Sequence, residues 1–199
     1  MTVLFLDFDG VLHPDPCRDA ARLFEHAPRL SAALAPFADL AVVLSTAWRT
    51  HHDAGQLMRH LPAPLRAKVV GATPCFHAID CAPALVPYRR QAECQHWIDR
   101  ERPGADWLAL DDRASGFEPY CDRLIATRSD TGLDEAALNR LRFALMHAAQ
   151  KQLAAGAAEL ARRGARLGLC ARKADPLAAA AAEVRAAGAH AVPCPADVT

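Results

Sequence analysis

The stretch LFLDFDGVLHP, residues 4 to 14, runs an apolar segment directly into two aspartates and a glycine. Asp7 and Asp9 lie two residues apart, a spacing that puts both carboxylates on one face of an extended strand. Buried carboxylates are costly unless they are paired or bound to a metal. The pattern therefore predicts a short buried strand that ends at a cation site, where Gly10 lets the backbone turn sharply.

Two further apolar runs end in polar residues in the same way. LAVVLS ends at Ser45 and is followed by Thr46, and ADWLALDD ends at Asp111 and Asp112. Strands are predicted at 2–6, 40–45, 67–74, 105–112 and 123–128, and helices at 18–35, 48–62, 88–102 and about 135–150. Strands that alternate with helices predict a parallel α/β sheet, and such sheets bind ligands beyond the carboxyl ends of their strands. We therefore expect these acids and hydroxyls to meet at one sheet edge.

The acids in this set indicate a divalent metal and phosphoryl transfer. Mg²⁺ prefers oxygen ligands, and the predicted metal ligands are Asp7, a carbonyl near Asp9, and a carboxylate of Asp111 or Asp112. The metal would neutralise phosphate charge while Asp7 attacks phosphorus to give an aspartyl-phosphate. Asp9 is then placed to protonate the leaving oxygen and later to deprotonate the attacking water. Which of Asp111 and Asp112 binds the metal directly is left open.

The other predicted site residues bind the phosphate or the rest of the substrate. Ser45 or Thr46 would hydrogen-bond a phosphoryl oxygen. A cation from a later helix, Arg90 or else Arg89, would stabilise charge on the transferred group. Gly10 would bring backbone amides close to the substrate.

His13 follows the aspartates closely and is a candidate for substrate contact. Several of these assignments have a structural alternative. The aspartates can cap a turn, Ser45 can cap a helix, and Arg90 can lie on a solvated helix face. All three tryptophans are predicted to be core residues.

Four segments in order resemble the motifs of the haloacid dehalogenase-like (HAD) superfamily. DFDGVL resembles motif I, VVLSTAW motif II, Arg90 of RQAECQHWI the basic residue of motif III, and WLALDD motif IV. The resemblance covers residues 3 to about 147 and extends to small bacterial HAD domains related to those of RNA-repair proteins. It implies an HAD-like Rossmannoid parallel sheet flanked by helices, with Asp7 as nucleophile, Asp9 as acid/base and Ser45 in the phosphate-binding position.

The activity that this resemblance implies is Mg²⁺-dependent phosphomonoester hydrolysis by an HAD-type phosphatase. No long insertion lies where HAD proteins carry cap domains, so we expect little or no cap and an open site. An open site suits a large phosphorylated substrate, which makes a polynucleotide end-processing phosphatase one alternative. A non-catalytic phosphate- or partner-binding HAD module is another. The balance of 23 Lys plus Arg against 23 Asp plus Glu gives no electrostatic argument for nucleic acid.

The composition shifts after about residue 150 to an alanine-rich segment without aromatic residues. We therefore predict an HAD-like domain over residues 1–150 and a separate α-β-α-β segment over residues 151–199. Its strands are expected near 165–171 and 189–194, in parallel, and its second helix over about 176–187.

From ELARRGAR onward this segment resembles part of a short-chain dehydrogenase/reductase, that is, an incomplete Rossmann-like unit. The resemblance implies basic residues near Arg172 facing a nucleotide phosphate and Asp197 near adenine. The first strand of that family and its glycine-rich loop, which cradle the pyrophosphate, are missing here. We therefore predict that the chain does not bind NAD(P).

The cysteines and the hydropathy indicate the compartment. Seven cysteines form no C-x-x-C pair, and their odd number indicates reduced thiols. The N-terminal apolar run is short, and no stretch approaches the ~20 apolar residues of a membrane span. We expect a cytoplasmic protein with no membrane partner, acting on a phosphorylated small molecule or nucleic-acid end, with its oligomeric state left open.

Overall fold

Five parallel strands form the central sheet of the first of two units, Met1–Met146, in the computed structural model. They are β1 (Thr2–Leu6), β2 (Leu40–Leu44), β3 (Val69–Ala72), β4 (Asp106–Asp111) and β5 (Leu124–Ala126). The strand order is β3-β2-β1-β4-β5, and every neighbouring pair is parallel, which confirms the predicted α/β fold. The structure describes residues 1–163, 167–171, 178, 181–182, 185–186 and 191–195.

The register of the three central strands aligns their carboxyl ends. Leu6 of β1 pairs with Leu44 of β2 on one side and with Leu110 of β4 on the other. The ladder continues by one residue, because the Asp7 amide donates to the Leu110 carbonyl at 3.1 Å and the Ser45 amide donates to the Leu6 carbonyl at 2.9 Å. The acids and hydroxyls that end these strands therefore lie at one edge of the sheet, as predicted.

Both faces of the sheet are covered, which explains why β1 is apolar throughout. Leu4 and Leu6 belong to one core cluster, and Val3 and Phe5 belong to a second. In the second cluster the Phe5 ring packs edge-on against Trp97 and Trp107, at centroid distances of 5.9 and 5.6 Å. The predicted core positions of these two tryptophans are confirmed.

The helix predicted over residues 18–35 is wrong in its first half. A 3₁₀ turn at Ala20–Arg22 comes first, and helix α1 spans only Ala27–Leu34. Phe24 between them has a φ of 60°, which a continuous right-handed helix does not allow. Pro28, which lacks an amide hydrogen, fits the first turn of α1 and marks its start.

The single helix predicted over residues 48–62 is also wrong. The segment contains a 3₁₀ turn at Ala47–Thr50 and a short helix α2 at Ala54–Met58. Asp53 starts α2 with a capping box, which ends the preceding turn. Pro64, expected to end a helix, lies instead in the first turn of helix α3, Ala63–Arg66.

Helix α4 spans Arg89–Glu101 and agrees with the prediction. Helix α5 spans Glu135–Arg162 and therefore continues well past residue 150, where the prediction ended it. Alanine is the strongest helix former, so the alanine-rich composition that suggested a boundary favours continuation of the helix.

The second unit, His147–Thr199, contains two paired parallel strands, β6 (Leu167–Ala171) and β7 (Ala191–Pro195). These confirm the two strands expected near 165–171 and 189–194. Within the helix predicted at 176–187, residues 178, 181–182 and 185–186 are described, and they are helical. Arg172 and Asp197 lie outside the described residues, so the expectations about them stay predictions.

The connections that follow β1 and β3, which lie wholly within the described residues, contain no inserted folded unit. Residues 7–39 and 73–88 contain only the α1 helix, 3₁₀ turns and loops, in agreement with little or no cap. Among the described residues no helix is both long and apolar enough to cross a bilayer. The five cysteines with described side chains are free thiols.

Candidate active site

Three carboxylates converge at the ends of β1 and β4. One oxygen each from Asp7, Asp111 and Asp112 lies within 4.8 Å of the others. Asp7 and Asp111 are each 1% exposed. Oδ2 of Asp111 and Oδ1 of Asp112 are buried without a hydrogen-bond partner. Unpartnered buried carboxylate oxygens are costly, and they are the ligands that Mg²⁺ prefers, so this group fits a hard divalent cation.

Arg90, the second residue of α4, supplies one positive charge to this group. Its Nη2 donates to Oδ2 of Asp7 at 2.9 Å, and its Nε lies 3.6 Å from Oδ2 of Asp111. Arg89 forms no ion pair with these acids, and its guanidinium lies 5.3 Å from the centre of the Phe76 ring. Of the two candidate cations, Arg90 is therefore the one among the acids. One guanidinium does not balance three carboxylates, so charge also favours a metal here.

Burial and mutual repulsion act directly on these acids. Burial, reinforced by the negative charge of Asp111, raises the pKa of Asp7 to about 7 although Arg90 opposes the shift. Burial also raises the pKa of Asp111. Burial therefore favours either a proton or a cation at Asp7 and Asp111.

Gly10 is required by geometry at the base of this group. Its φ is +66°, and a Cβ at this position would lie 2.3 Å from Oδ2 of Asp112. The Gly10 carbonyl also accepts a hydrogen bond from the Thr127 hydroxyl at 2.7 Å. A side chain here would displace Asp112, which explains the glycine that follows the two aspartates.

Asp9 lies apart from the three clustered acids and has its own hydrogen-bond donors. Nε1 of Trp48 lies 2.9 Å from both carboxylate oxygens of Asp9, and Nε2 of His13 lies 3.1 Å from Oδ1. The hydrogen bond with His13, supported by the one from Trp48, lowers the pKa of Asp9 against the opposing effect of burial. Trp48 is only partly buried and bonds Asp9, so assigning it to the core alone missed this contact.

Ser45 and Thr46 are both buried at the end of β2. The residue that caps the following turn is Thr46, whose hydroxyl accepts from the Trp48 amide at 3.3 Å. The capping role considered for Ser45 is therefore taken by its neighbour.

A buried ion pair that the sequence analysis missed ties this turn to α4. Arg49 Nη2 donates to Glu93 Oε2 at 2.6 Å, and its other nitrogens donate to the carbonyls of Ser45 at 3.1 Å and Thr73 at 3.0 Å. Oε1 of Glu93 accepts from the Phe76 amide at 2.8 Å. One indication in the sequence that Glu93 lies near the site is its spacing: it is three residues after Arg90 in the predicted helix, and residues at this spacing share a helix face.

A family model described as the HAD domain in Swiss Army Knife RNA repair proteins matches residues 3–138. The chain belongs to this family. Searches of curated proteins and of solved structures each give no significant match.

The HAD domain carries a cavity of about 450 Å³ that includes Arg90 in its wall. Arg49, Arg89 and Arg113 also line it, with Glu93 as the acidic residue of the wall. The cavity is lined partly by the turns that follow β2 and β4 at the carboxyl edge of the sheet.

Proposed function

We propose that the protein is a Mg²⁺-dependent phosphomonoesterase that works through an aspartyl-phosphate on Asp7. The observation that carries the proposal is the convergence of Asp7, Asp111 and Asp112, two of whose buried oxygens accept no hydrogen bond, with Arg90 beside them. Mg²⁺ held by these acids would offset the charge on the substrate phosphate. Membership of the HAD family supports a hydrolase.

In the proposed reaction, an Asp7 carboxylate oxygen forms a bond to phosphorus while the bond to the ester oxygen breaks. In its protonated form Asp9, a stronger acid than usual because the hydrogen bonds of His13 and Trp48 lower its pKa, gives its proton to that leaving oxygen. Asp9 then takes a proton from water, whose oxygen attacks phosphorus, releasing inorganic phosphate and restoring Asp7. Arg90 would bind a phosphoryl oxygen, because its guanidinium already reaches Asp7.

The remaining residues would hold the substrate or the acid/base. We assign Ser45, Thr46 and the backbone at Gly10 to the phosphoryl group, because they end the central strands beside Asp7. The buried His13 side chain, only 2% exposed, bonds Asp9. This favours positioning of Asp9 over the substrate contact expected from the sequence.

Turnover of p-nitrophenyl phosphate in Mg²⁺ tests the proposal. Asp7→Asn is expected to lower kcat by at least about 1000-fold, as loss of a covalent nucleophile does, and EDTA to abolish turnover. Asp130→Asn, an exposed acid paired with Arg128, is the matched control. Wild-type turnover in Asp7→Asn would refute the mechanism. Mg²⁺ binding without turnover on a broad panel of phosphate esters would identify a non-catalytic module instead.

A polynucleotide end-processing phosphatase is the second candidate. It is favoured by the family description, which names RNA repair proteins, and by the arginine-lined cavity beside Arg90. Turnover of a 3′-phosphorylated oligonucleotide is compared with that of phosphorylated metabolites. Equal or slower turnover of the oligonucleotide would end this candidate.

A further inference from the structure

The cavity beside Asp7 has the size and charge of a ligand site. Its volume of about 450 Å³ lies within the range of small-molecule pockets. Arg49, Arg89, Arg90 and Arg113 line it, against the single acid Glu93. In a chain whose net charge is zero, this is a local excess of positive charge.

Two of these four arginines are already neutralised by protein groups. Arg49 pairs with Glu93 at 2.6 Å, with both side chains less than 10% exposed. Arg90 pairs with Asp7 at 2.9 Å. The local excess of charge therefore belongs to Arg89 and Arg113.

Arg89 and Arg113 are exposed, and neither forms an ion pair in the described part of the chain, although the charge of Arg113 acts to lower the pKa of Asp9 and of Asp111. The guanidinium of Arg89 is oriented by the Phe76 ring, 5.3 Å from its centroid. Arg113 is anchored beside the acids, since its amide donates to Oδ1 of Asp111 at 2.8 Å. Both side chains also line the cavity, where they are available to an anion.

Arg90 connects this cavity to the reacting group. It bonds Asp7 and also lines the cavity. The Arg90 side chain packs against Gly116, where any larger residue would clash with it, because a Cβ at position 116 would lie 2.8 Å from Arg90 Cγ. A substrate whose phosphate lies on Asp7 and Arg90 therefore extends towards Arg89 and Arg113. Guanidinium groups bind phosphate through paired hydrogen bonds, which favours phosphate as their ligand.

We propose that Arg89 and Arg113 form a subsite for a second phosphate of the substrate, so that the preferred substrates carry a phosphate or phosphodiester in addition to the phosphate that is removed. This inference rests on the proposed phosphatase function. The second phosphate can come from a small bisphosphate or from a polynucleotide backbone, and both present the same chemistry to the two arginines.

The test compares kcat/KM for adenosine 3′-phosphate, adenosine 3′,5′-bisphosphate and a 3′-phosphorylated dinucleotide. The wild-type protein is expected to prefer the two substrates with a second phosphate group by roughly ten-fold or more, mainly through KM. Arg89→Gln/Arg113→Gln should bring that ratio close to one. Preference for the bisphosphate over the dinucleotide would identify a small-molecule source, and the reverse a polynucleotide source. Either result supports the subsite.

Arg66→Gln/Arg100→Gln removes the same charge from two exposed arginines of α3 and α4, and it should keep the wild-type ratio. An unchanged ratio in Arg89→Gln/Arg113→Gln, or an equal loss in the control, would overturn the inference. If no substrate is hydrolysed, the phosphatase proposal fails separately. Calorimetric binding of the same adenosine nucleotides in Mg²⁺ then decides the subsite by the same comparison of variants.

Discussion

The contact between Trp48 and Asp9 predicts a defect that depends on the leaving group. Trp48→Phe keeps the aromatic packing against Phe8 and Phe24 but removes the only Trp48 group that reaches Asp9, the Nε1–H at 2.9 Å from both oxygens. His13 alone would then orient the proposed acid/base. The substitution is therefore expected to slow proton transfer to the leaving oxygen.

The size of the effect follows from the charge of the acceptor. Asp9 becomes ionised as it gives up its proton, and a hydrogen bond to an ionised group contributes about 1.5–3 kcal/mol; each 1.36 kcal/mol of barrier is ten-fold in rate. We expect kcat on phenyl phosphate to fall about 10- to 100-fold, within the range that general acid catalysis contributes. The loss should be smaller on p-nitrophenyl phosphate, whose leaving oxygen needs less protonation.

The assay is steady-state turnover of both esters in Mg²⁺, with thermal unfolding of each variant recorded alongside. Trp97→Phe is the matched control, because Trp97 packs edge-on against Phe5 in the other core cluster. It should change the Tm without changing the ratio of the two rates. An equal loss of rate on both esters in Trp48→Phe, or no loss on phenyl phosphate, would refute the role assigned to this contact.

Four further predictions concern geometry, packing, protonation and cofactor use. Gly10→Ala is expected to weaken Mg²⁺ binding measured by calorimetry, because its Cβ would lie 2.3 Å from a carboxylate oxygen of Asp112. Gly104→Ala is the control: its φ is +77° and nothing lies within 4 Å of the new Cβ, so backbone strain should lower stability without changing Mg²⁺ binding. Arg49→Met should lower the free energy of unfolding by about 3–5 kcal/mol in chemical denaturation, and Arg49→Met/Glu93→Met should recover part of it, because the first variant leaves a buried charge unpaired. In EDTA, the Tm should rise as pH falls through about 7, because folding raises the pKa of Asp7 and the folded state then holds a proton that the unfolded chain releases. Saturating Mg²⁺ should suppress this rise. A Tm that falls over the same pH range would contradict the prediction. Titration of the full chain with NADPH should give no fluorescence change from binding, because the sequence lacks the pyrophosphate-binding loop; saturable binding would contradict this.

The sheet and its acidic edge were predictable because each depends on local pattern and parallel register. β1, β2 and β4 are apolar runs buried on both faces, and each stops where a polar residue appears. Once three such strands are parallel neighbours, their last residues are adjacent. The placement of Asp7 beside Ser45 and Asp111 therefore needs no information beyond the sequence.

The contacts between side chains distant in sequence were not predictable in this way. Trp48 meets Asp9 across 39 positions and Arg49 meets Glu93 across 44. Both Trp48 and Arg49 lie in the 3₁₀ turn found at the start of the predicted helix. An α-helix there would have given their side chains different directions. The spacing of apolar residues over 48–62 does not indicate that the helical segment is interrupted before Asp53. The error in secondary structure and the missed contacts therefore have one cause.

The ambiguity between Asp111 and Asp112 follows from how the carboxylate oxygens at this edge are partnered. Asp9 has two side-chain donors of its own, and the two oxygens of Asp7 accept from a backbone amide and from Arg90. Asp111 uses Oδ1 on a backbone amide and leaves Oδ2 without a hydrogen bond, 3.6 Å from Nε of Arg90, while Asp112 leaves Oδ1 without a hydrogen bond. Each member of the pair thus keeps one buried oxygen for the proposed cation. In a continuing strand, adjacent side chains point to opposite faces, and that rule would have selected one of the two aspartates as the ligand. Here both carboxylates lie near Asp7, so the rule does not apply and the sequence alone could not choose between them.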